Sequence, residues 1–185
     1  MICVFPFEVD IYKKEDINAS FAGHPLVSRI NKFLENNSKT ETDRVRISFM
    51  PGSRKDEIER MLPVLIKTAD KFAGEFECDI SFICSSNYDI SYYKKFIKSK
   101  KYNLIHSSAD SEINYKTILN SDLVITKSGT STMECALIGT PFCVVYKAGK
   151  LNYLIGKRLI KVKFIAMVNI LLDKYAVKEF LQKDM

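Results

Sequence analysis

From residue 44 onward the chain switches repeatedly between two hydrophobic periods. Five short apolar or alternating runs predict strands: Val45–Met50, Cys78–Cys84, Tyr102–His106, Leu123–Thr126 and Pro141–Tyr146. Helices are predicted between them, over Asp56–Lys71, Ile90–Lys98, Ile113–Asn120 and Thr130–Ile138. Pro63 lies inside the first of these helices and is expected to kink or restart it. Alternating strands and helices predict an α/β fold, a Rossmann-like, doubly wound parallel sheet with right-handed crossovers.

The first 40 residues follow a different pattern. Met1–Phe7 and Ala19–Gly23 predict two short strands that flank a helix, and the polar stretch from 31 to 43 predicts a linker. A strand–helix–strand piece of this size is too short to form a domain. We therefore interpret residues 1–28 as the tail of an absent N-terminal domain with an interdomain segment, and residues 29–185 as the main domain.

The composition is that of a globular protein, with 46% hydrophobic and 27% charged residues. The net charge of +6 favours an anionic partner, namely nucleic acid, a membrane surface or a phosphorylated substrate, although a merely basic surface explains it equally well. The five cysteines are odd in number and show no CxxC spacing, so we expect buried thiols in a reducing compartment. The two histidines are far apart in sequence, which disfavours a histidine metal site.

A turn of sequence PGSR follows the strand that ends at residue 50 and leads into a helix. In open parallel sheets, ligands bind at the carboxyl ends of the strands, where such turns lie. Gly52 lets the backbone approach a ligand, the helix N-terminus offers N–H groups, and Arg54 adds a cation that can bind in a bidentate manner. These features predict a diphosphate site. The alternative is a plain turn in which Ser53 caps the helix and Arg54 pairs with Glu57 or Glu59.

A second turn, of sequence KSGT, also runs from a strand into a helix. Ser128, Gly129 and Thr130 offer hydroxyl and N–H groups to a phosphate, and Glu134, four residues past Thr130, suits the hydroxyls of a ribose. The alternative is a capped helix with Glu134 reaching back to its N-terminus. Two such turns on one sheet favour a nucleotide diphosphate. The chain has no GxxxxGK[ST] and no GxGxxG, which disfavours a P-loop enzyme and a dinucleotide oxidoreductase.

The segment from residue 147 to 172 is basic and amphipathic. Its cations are Lys147, Lys150, Lys157, Arg158, Lys161 and Lys163, and its apolar face comprises Leu151, Leu154, Ile155 and Leu159. This pattern predicts a helix that contacts an anionic membrane or a phosphorylated lipid, or else a packed helix with a solvated face. No apolar run is long enough to span a bilayer. Asn169 is a lone amide in an apolar run, so it must bond to the backbone or to a ligand.

Several strings resemble the C-terminal half of lipid-A-disaccharide synthase: MPGSRKDEI, SDLVITKSGTSTMECALIGTPFCVVYK, LNYLIGKRLIKV and VNILL…VKEFLQ. PFEVDIYKK…ASFAGHPLV resembles the segment that joins the two domains of that family. The resemblance implies a GT-B fold, with this chain supplying its C-terminal, UDP-sugar-binding domain, truncated at its C-terminus. It also implies transfer of 2,3-diacylglucosamine from its UDP derivative to 2,3-diacylglucosamine 1-phosphate, giving the lipid A disaccharide and UDP, with no metal or cofactor.

The UDP-donor site implied by the resemblance comprises Gly52, Ser53, Arg54, Ser128, Gly129, Thr130, Glu134 and Asn169. Within it, Arg54 resembles the arginine that contacts the diphosphate, Glu134 the glutamate that binds ribose, and Asn169 an asparagine implicated in activity. Lys157, Arg158 and Lys161 are the candidate membrane or phosphate contacts. The chain departs from the family at Val168, where a proline is expected, and at Leu172–Tyr175, where the family pattern is closer to Ala-Gly-Arg-Glu.

The resemblance places the general base in the absent N-terminal domain, so no catalytic residue is expected here and the chain alone is expected to be inactive. The expected location is the cytoplasm, peripheral on the inner membrane. The expected partners are the donor, the acceptor, the anionic membrane surface and a second copy or a complementing N-terminal half, with no nucleic acid. The alternatives are another GT-B protein, such as a UDP-N-acetylglucosamine transferase or epimerase, and a non-catalytic UDP-sugar-binding module.

Overall fold

The computed structural model describes residues 1–107, 112–147 and 163–181. The chain divides into two compact units, Met1–Asn37 and Ser38–Met185. The boundary expected after residue 28 falls inside a helix, Pro25–Glu35, and the structure places the division after that helix.

The first unit contains two strands and two helices: β1 (Ile2–Cys3), α1 (Pro6–Lys14), β2 (Ser20–Phe21) and α2 (Pro25–Glu35). β1 and β2 pair in parallel. The strand predicted from residue 1 to 7 is wrong beyond residue 3, because Pro6 begins a helix that Glu8 caps. The Glu8 carboxylate accepts the backbone N–H groups of Val4 at 3.1 Å and Phe5 at 2.9 Å. The predicted linker also begins too early, since α2 continues to residue 35.

The second unit is a parallel sheet with helices between its strands. Its elements are β3 (Val45–Met50), α3 (Lys55–Glu75), β4 (Cys78–Cys84), α4 (Ile90–Lys94), β5 (Asn103–His106), α5 (Glu112–Asn120), β6 (Leu123–Lys127), α6 (Thr130–Ile138), β7 (Phe142–Tyr146), α7 (Met167–Leu172) and β8 (Glu179–Leu181). Six strands lie in the order β5-β4-β3-β6-β7-β8, and every neighbouring pair is parallel. This is a Rossmann-type strand order and confirms the predicted α/β, doubly wound parallel sheet.

The core of this unit lies where β3 and β4 pack against α3. The last four residues of β3 are buried, as expected for a central strand that is covered on both faces. Phe49 and Phe82 are register partners, and their rings stack with centroids 5.0 Å apart. Ile58, Leu62 and Leu65 supply the apolar face of α3. This packing fixes the carboxyl end of β3, where the first predicted site lies.

The second unit differs from the sequence predictions in several places, and α3 itself ends at Glu75, four residues later than predicted. α3 runs unbroken through Pro63, whose ring lies on the exposed face, where water can solvate the carbonyl that the proline leaves without a donor. α4 ends at Lys94, four residues earlier than predicted. β8 was not predicted, because a three-residue strand that begins with a glutamate and follows a lysine carries no hydrophobic pattern.

Much of the basic segment lies outside the described residues, including Lys157, Arg158 and Lys161 and the apolar positions proposed to accompany them. Its described end contains α7, which is six residues long. Within the described ranges, no helix combines the length and apolar character needed to cross a membrane.

Candidate functional site

A cavity of about 830 Å³ opens where the strand order of the sheet reverses. β3 has β4 on one side and β6 on the other, and ligands of open α/β sheets bind outside the carboxyl ends of the strands at such a position. Residues 51–54, here called the first turn, follow β3, and residues 128–130, the second turn, follow β6. Residues of both turns line the cavity, so the fold brings the two predicted phosphate-binding turns together.

Seven of the eight predicted donor-site residues line this cavity: Gly52, Ser53, Arg54, Ser128, Gly129, Thr130 and Glu134. Thr130 is exposed at the first position of α6, and Glu134 is half-buried one turn further along the same helix. Both residues therefore line the same cavity, as predicted from their separation of four positions along one helix. Asn169 is absent from the described lining.

Each turn depends on a glycine in a backbone conformation that other residues adopt poorly. Gly52 has φ +111° and Gly129 has φ +153°. A Cβ on Gly52 would lie 3.0 Å from Glu57 Oε2 and 3.2 Å from Lys127 Cδ. A Cβ on Gly129 would lie 3.2 Å from Lys127 Cε. Both glycines therefore make room for the same lysine side chain.

Lys127, the last residue of β6, is a cavity residue that the sequence analysis did not single out. Only 15% of its side chain is exposed, and its Nζ lies 3.1 Å from both carboxylate oxygens of Glu57. The Glu57 side chain is 17% exposed. Such a pairing stabilises two charged side chains that are mostly shielded from solvent, because shielding a charge without a partner is unfavourable. The only sequence signal was a charged residue directly before the second turn.

Glu57 links Lys127 to the first turn. Arg54 Nη1 donates to Glu57 Oε1 at 3.1 Å, so the ion pair expected for a plain turn is present. Arg54, rather than Ser53, occupies the N-cap position of α3. Burial raises the pKa of the Glu57 carboxyl, but Lys127 and then Arg54 outweigh that effect and hold the pKa below its usual value. The Arg54 side chain itself is 80% exposed and stays accessible to a ligand.

Hydroxyl groups tie the second turn to its surroundings. Ser128 Oγ donates to the carbonyl of Ile165 at 2.7 Å, and Thr132 Oγ1 donates to the carbonyl of Gly129 at 2.8 Å. Thr126 and Ser131 share a hydroxyl–hydroxyl bond of 2.7 Å. These bonds fix the start of α6. The Ser128 hydroxyl proton is therefore already donated to the Ile165 carbonyl in this structure.

Asn169 has a different position from the one expected of a donor-binding residue. It is fully buried, and its Oδ1 accepts the N–H groups of Ala176 and Val177, each at 2.9 Å. Its Nδ2 donates to the Val177 carbonyl at 2.9 Å and to Glu179 Oε1 at 2.8 Å. All four hydrogen-bonding positions of the amide are thus used inside the chain. The sequence left open whether the Asn169 amide bonds to the backbone or to a ligand, and in the structure it bonds to the backbone and to Glu179.

Glu179, on the unpredicted strand β8, connects Asn169 with the second turn. Its carboxylate accepts the N–H groups of Ala166 at 2.8 Å and of Ile165 at 3.1 and 3.0 Å. Ile165 in turn accepts from Ser128. A continuous series of hydrogen bonds therefore runs from Asn169 through Glu179 and Ile165 to Ser128. We call these four residues the support chain.

Comparison with known proteins gives a consistent family assignment. All 185 residues match the profile of a family described as Lipid-A-disaccharide synthetase. Lipid-A-disaccharide synthase from Acinetobacter baylyi is 31% identical over 203 residues, covering 100% of this chain and 50% of that protein. Lipid-A-disaccharide synthase 1 of Legionella pneumophila strain Paris is 35% identical, covering 100% of this chain and 49% of that protein. The chain thus spans about half the length of the curated relatives it matches.

Among solved structures, the wall teichoic acid polymerase TagF is similar with a TM-score of 0.44 and 19% identity, over 88% of this chain and 41% of that one. KpsC, a β-Kdo 2,4 transferase of Thermosulfurimonas dismutans, is similar with a TM-score of 0.37 and 11% identity, over 65% of this chain and 44% of that one. The family assignment rests on the sequence matches, which cover the whole chain. This chain belongs to the lipid-A-disaccharide synthetase family.

Proposed function

We propose that this chain is the nucleotide-sugar-binding half of a GT-B glycosyltransferase. The reaction would transfer 2,3-diacylglucosamine from its UDP derivative to 2,3-diacylglucosamine 1-phosphate and release UDP. Family membership supports the reaction class. The observation that carries the assignment to the donor side is a cavity at the reversal of strand order that both glycine turns line, each turn leading into a helix N-terminus.

The roles proposed for the cavity residues follow from their chemistry. Gly52 and Gly129 allow backbone N–H groups to approach the diphosphate, and the two helix N-termini favour its negative charge. The exposed Arg54 adds a bidentate cation, which would stabilise UDP as it departs. Glu134 would accept hydrogen bonds from the ribose hydroxyls. The general base that activates the acceptor hydroxyl would lie in the other half of the protein.

The test is calorimetry of the purified chain with UDP and uridine, together with a transferase assay that supplies donor and acceptor. We expect UDP to bind more tightly than uridine and no product to form, because residues 1–185 span about half the length of the curated relatives. A chain that does not bind UDP would contradict the donor-site assignment. Turnover by residues 1–185 alone would contradict the assignment as a half-enzyme.

We further propose that the basic segment contacts the anionic surface of the inner membrane, a proposal that rests on its sequence. Each cation near such a surface contributes about 1 kcal/mol at low salt. Replacing Lys157, Arg158 and Lys161 with glutamine should reduce co-sedimentation with anionic vesicles and leave UDP affinity unchanged. Equal sedimentation of both chains, or none at low salt, would contradict a membrane contact.

A further inference from the structure

Lys127 occupies an unusual place for a strand-end lysine. A lysine at the end of a strand ordinarily extends its ammonium group into water, and its long stem makes that easy. Here 15% of the side chain is exposed, and the ammonium group is held at 3.1 Å from the Glu57 carboxylate. The lysine nevertheless lines the cavity. It is therefore a cation with a fixed position at the base of the proposed donor site.

The lysine lies against both phosphate-binding turns at once. Its Cδ would be 3.2 Å from a Cβ on Gly52, and its Nζ would be 3.4 Å from a Cβ on Gly129. The two glycines stand at the ends of the neighbouring strands β3 and β6. A diphosphate held by both turns would consequently lie over the ammonium group.

The charges around the cavity also require a second cation. Among the described residues that line it, the charged side chains are Arg54, Lys127, Glu57 and Glu134. A diphosphate brings at least two negative charges into the same space as Glu57. Arg54 is 80% exposed, so solvent screens its attraction. Lys127 is better shielded from solvent, and its charge acts more strongly on a nearby phosphate.

We propose that Lys127 contacts the diphosphate of the nucleotide-sugar donor, and that Glu57 is a positioning residue that holds the ammonium group beneath the two turns. The proposal rests on the proposed function of this cavity and specifies which cation meets the phosphates. Glu57 serves two cations, since it also bonds to Arg54. One carboxylate on α3 thus orders Arg54 in the first turn and Lys127 directly before the second turn, before the ligand arrives.

The experiment is calorimetry on the full 185-residue chain with UDP, uridine and inorganic pyrophosphate as separate probes. Lys127→Met keeps the length of the side chain and removes its charge. We expect this variant to bind UDP and pyrophosphate about tenfold more weakly or worse, equivalent to about 1.4 kcal/mol of binding free energy. Its affinity for uridine should stay within about twofold of the wild-type value. Lys39→Met is the matched control, because Lys39 also pairs with a carboxylate, Asp122, at 2.6 Å, but does not line the cavity.

A double variant shows whether Lys127 contacts the phosphates or only neutralises the charge of Glu57. If Lys127 only offsets the charge of Glu57, then Lys127→Met with Glu57→Gln should restore UDP and pyrophosphate affinity to within about twofold of the wild-type value. If Lys127 contacts the phosphates, a deficit of about fivefold or more should persist, and such a loss is about 1 kcal/mol. The double variant leaves no unpaired buried charge, so it also serves if the single variant fails to fold, which its melting temperature will show.

The probes distinguish failure of this inference from failure of the proposed function. If the wild-type chain binds pyrophosphate but not UDP, the assignment of the cavity to a nucleotide is wrong. The effect of Lys127→Met on pyrophosphate affinity would still test whether Lys127 contacts the phosphates. UDP binding that is equally tight in the wild-type and Lys127→Met chains would overturn the inference and leave the function intact. Wild-type binding of neither probe would overturn both.

Discussion

The two turns at the cavity are built from the same elements but are held in different ways. Each follows a parallel strand, contains a glycine with positive φ and begins a helix. The first turn is held by the ion pair of Arg54 with Glu57 and by one exposed bond from Asn87 to the Ser53 carbonyl. The second turn is held by hydroxyl bonds and by the support chain, which ends at the fully buried Asn169.

The difference indicates that an easily broken ion pair holds the first turn, whereas a rigid hydrogen-bond network holds the second. An exposed ion pair contributes about 0–1 kcal/mol and yields easily, so Arg54 can leave Glu57 for a ligand phosphate at little cost. A buried amide with all its bonds formed is far harder to disturb, because each broken bond leaves a polar group unsatisfied. We therefore expect substitutions at the second turn to affect mainly stability, and substitutions at the first turn to affect mainly ligand affinity.

The largest effect is expected for Asn169→Ala. It removes all four hydrogen bonds of a fully buried amide, two of them from the N–H groups of Ala176 and Val177, so the free energy of unfolding should fall by about 3 kcal/mol or more. The matched control is Asn87→Ala at the first turn, where one exposed bond is lost and about 1 kcal/mol or less is expected. Urea denaturation measures both values. Equal losses would remove the distinction between the turns.

Gly129→Ala should have the next largest effect. The new Cβ would require a strained φ of +153° and would press against Lys127, so we expect about 1–3 kcal/mol of destabilisation and weaker UDP binding. Gly74→Ala is the control, because Gly74 lies inside α3 with open space around its Cβ and should gain about 0.5–1 kcal/mol. Thermal unfolding and calorimetry provide the two readouts. A Gly129→Ala chain with wild-type stability and affinity would show that the second turn tolerates a side chain.

Arg54→Ala should change ligand affinity with little change in stability. We expect UDP to bind about tenfold more weakly, since one charge-assisted contact is lost, while uridine is unaffected. Arg44→Ala is the control, because Arg44 forms an exposed pair with Asp79 at 2.8 Å just before β3, at the opposite end of that strand from the first turn. Calorimetry compares the four titrations. Equal losses for UDP and uridine would mean that Arg54 only shapes the turn.

Glu134→Gln is expected to have the smallest effect. The amide keeps the size of the carboxylate and one acceptor oxygen, so we expect UDP affinity to fall by a few-fold, less than about 1.4 kcal/mol, while pyrophosphate affinity is unchanged. Calorimetry with the two ligands measures the ratio. A fall in melting temperature at constant UDP affinity would instead indicate the capping role considered for this residue.

The strands and helices that follow from local sequence were predicted well around the cavity. β3, β4 and α6 have the predicted bounds, since each combines a clear apolar pattern with a turn or a glycine at its end. The two glycine turns were recognised for the same reason. Lys127 and Glu57 were not recognised as a pair, because their contact spans 70 positions of sequence and depends on β3 lying next to β6.

The support chain was also beyond sequence reasoning. Asn169 was correctly expected to need hydrogen-bond partners, but its partner Glu179 lies on a strand too short and too polar to predict. A helix was predicted between the first two strands, and its start at Pro6 could also have been recognised, because Pro6 at its first position and Glu8 in its first turn are known start signals. For Lys127 with Glu57 and for Asn169 with Glu179, the missing information is the spatial position of a residue, and not its chemical type.

The pairing of β3 with β6 has a kinetic consequence. Ile47 lies opposite Leu123 in the sheet, so closing this pair requires two segments separated by 76 residues to meet. Contacts of such long range form slowly, because the loss of chain entropy precedes any stabilisation. The cavity exists only once β3 and β6 are joined, whereas the backbone hydrogen bonds of α3 join residues four positions apart in sequence. We therefore expect recovery of UDP binding during refolding to follow the slowest fluorescence phase and to lag behind the return of helical circular dichroism.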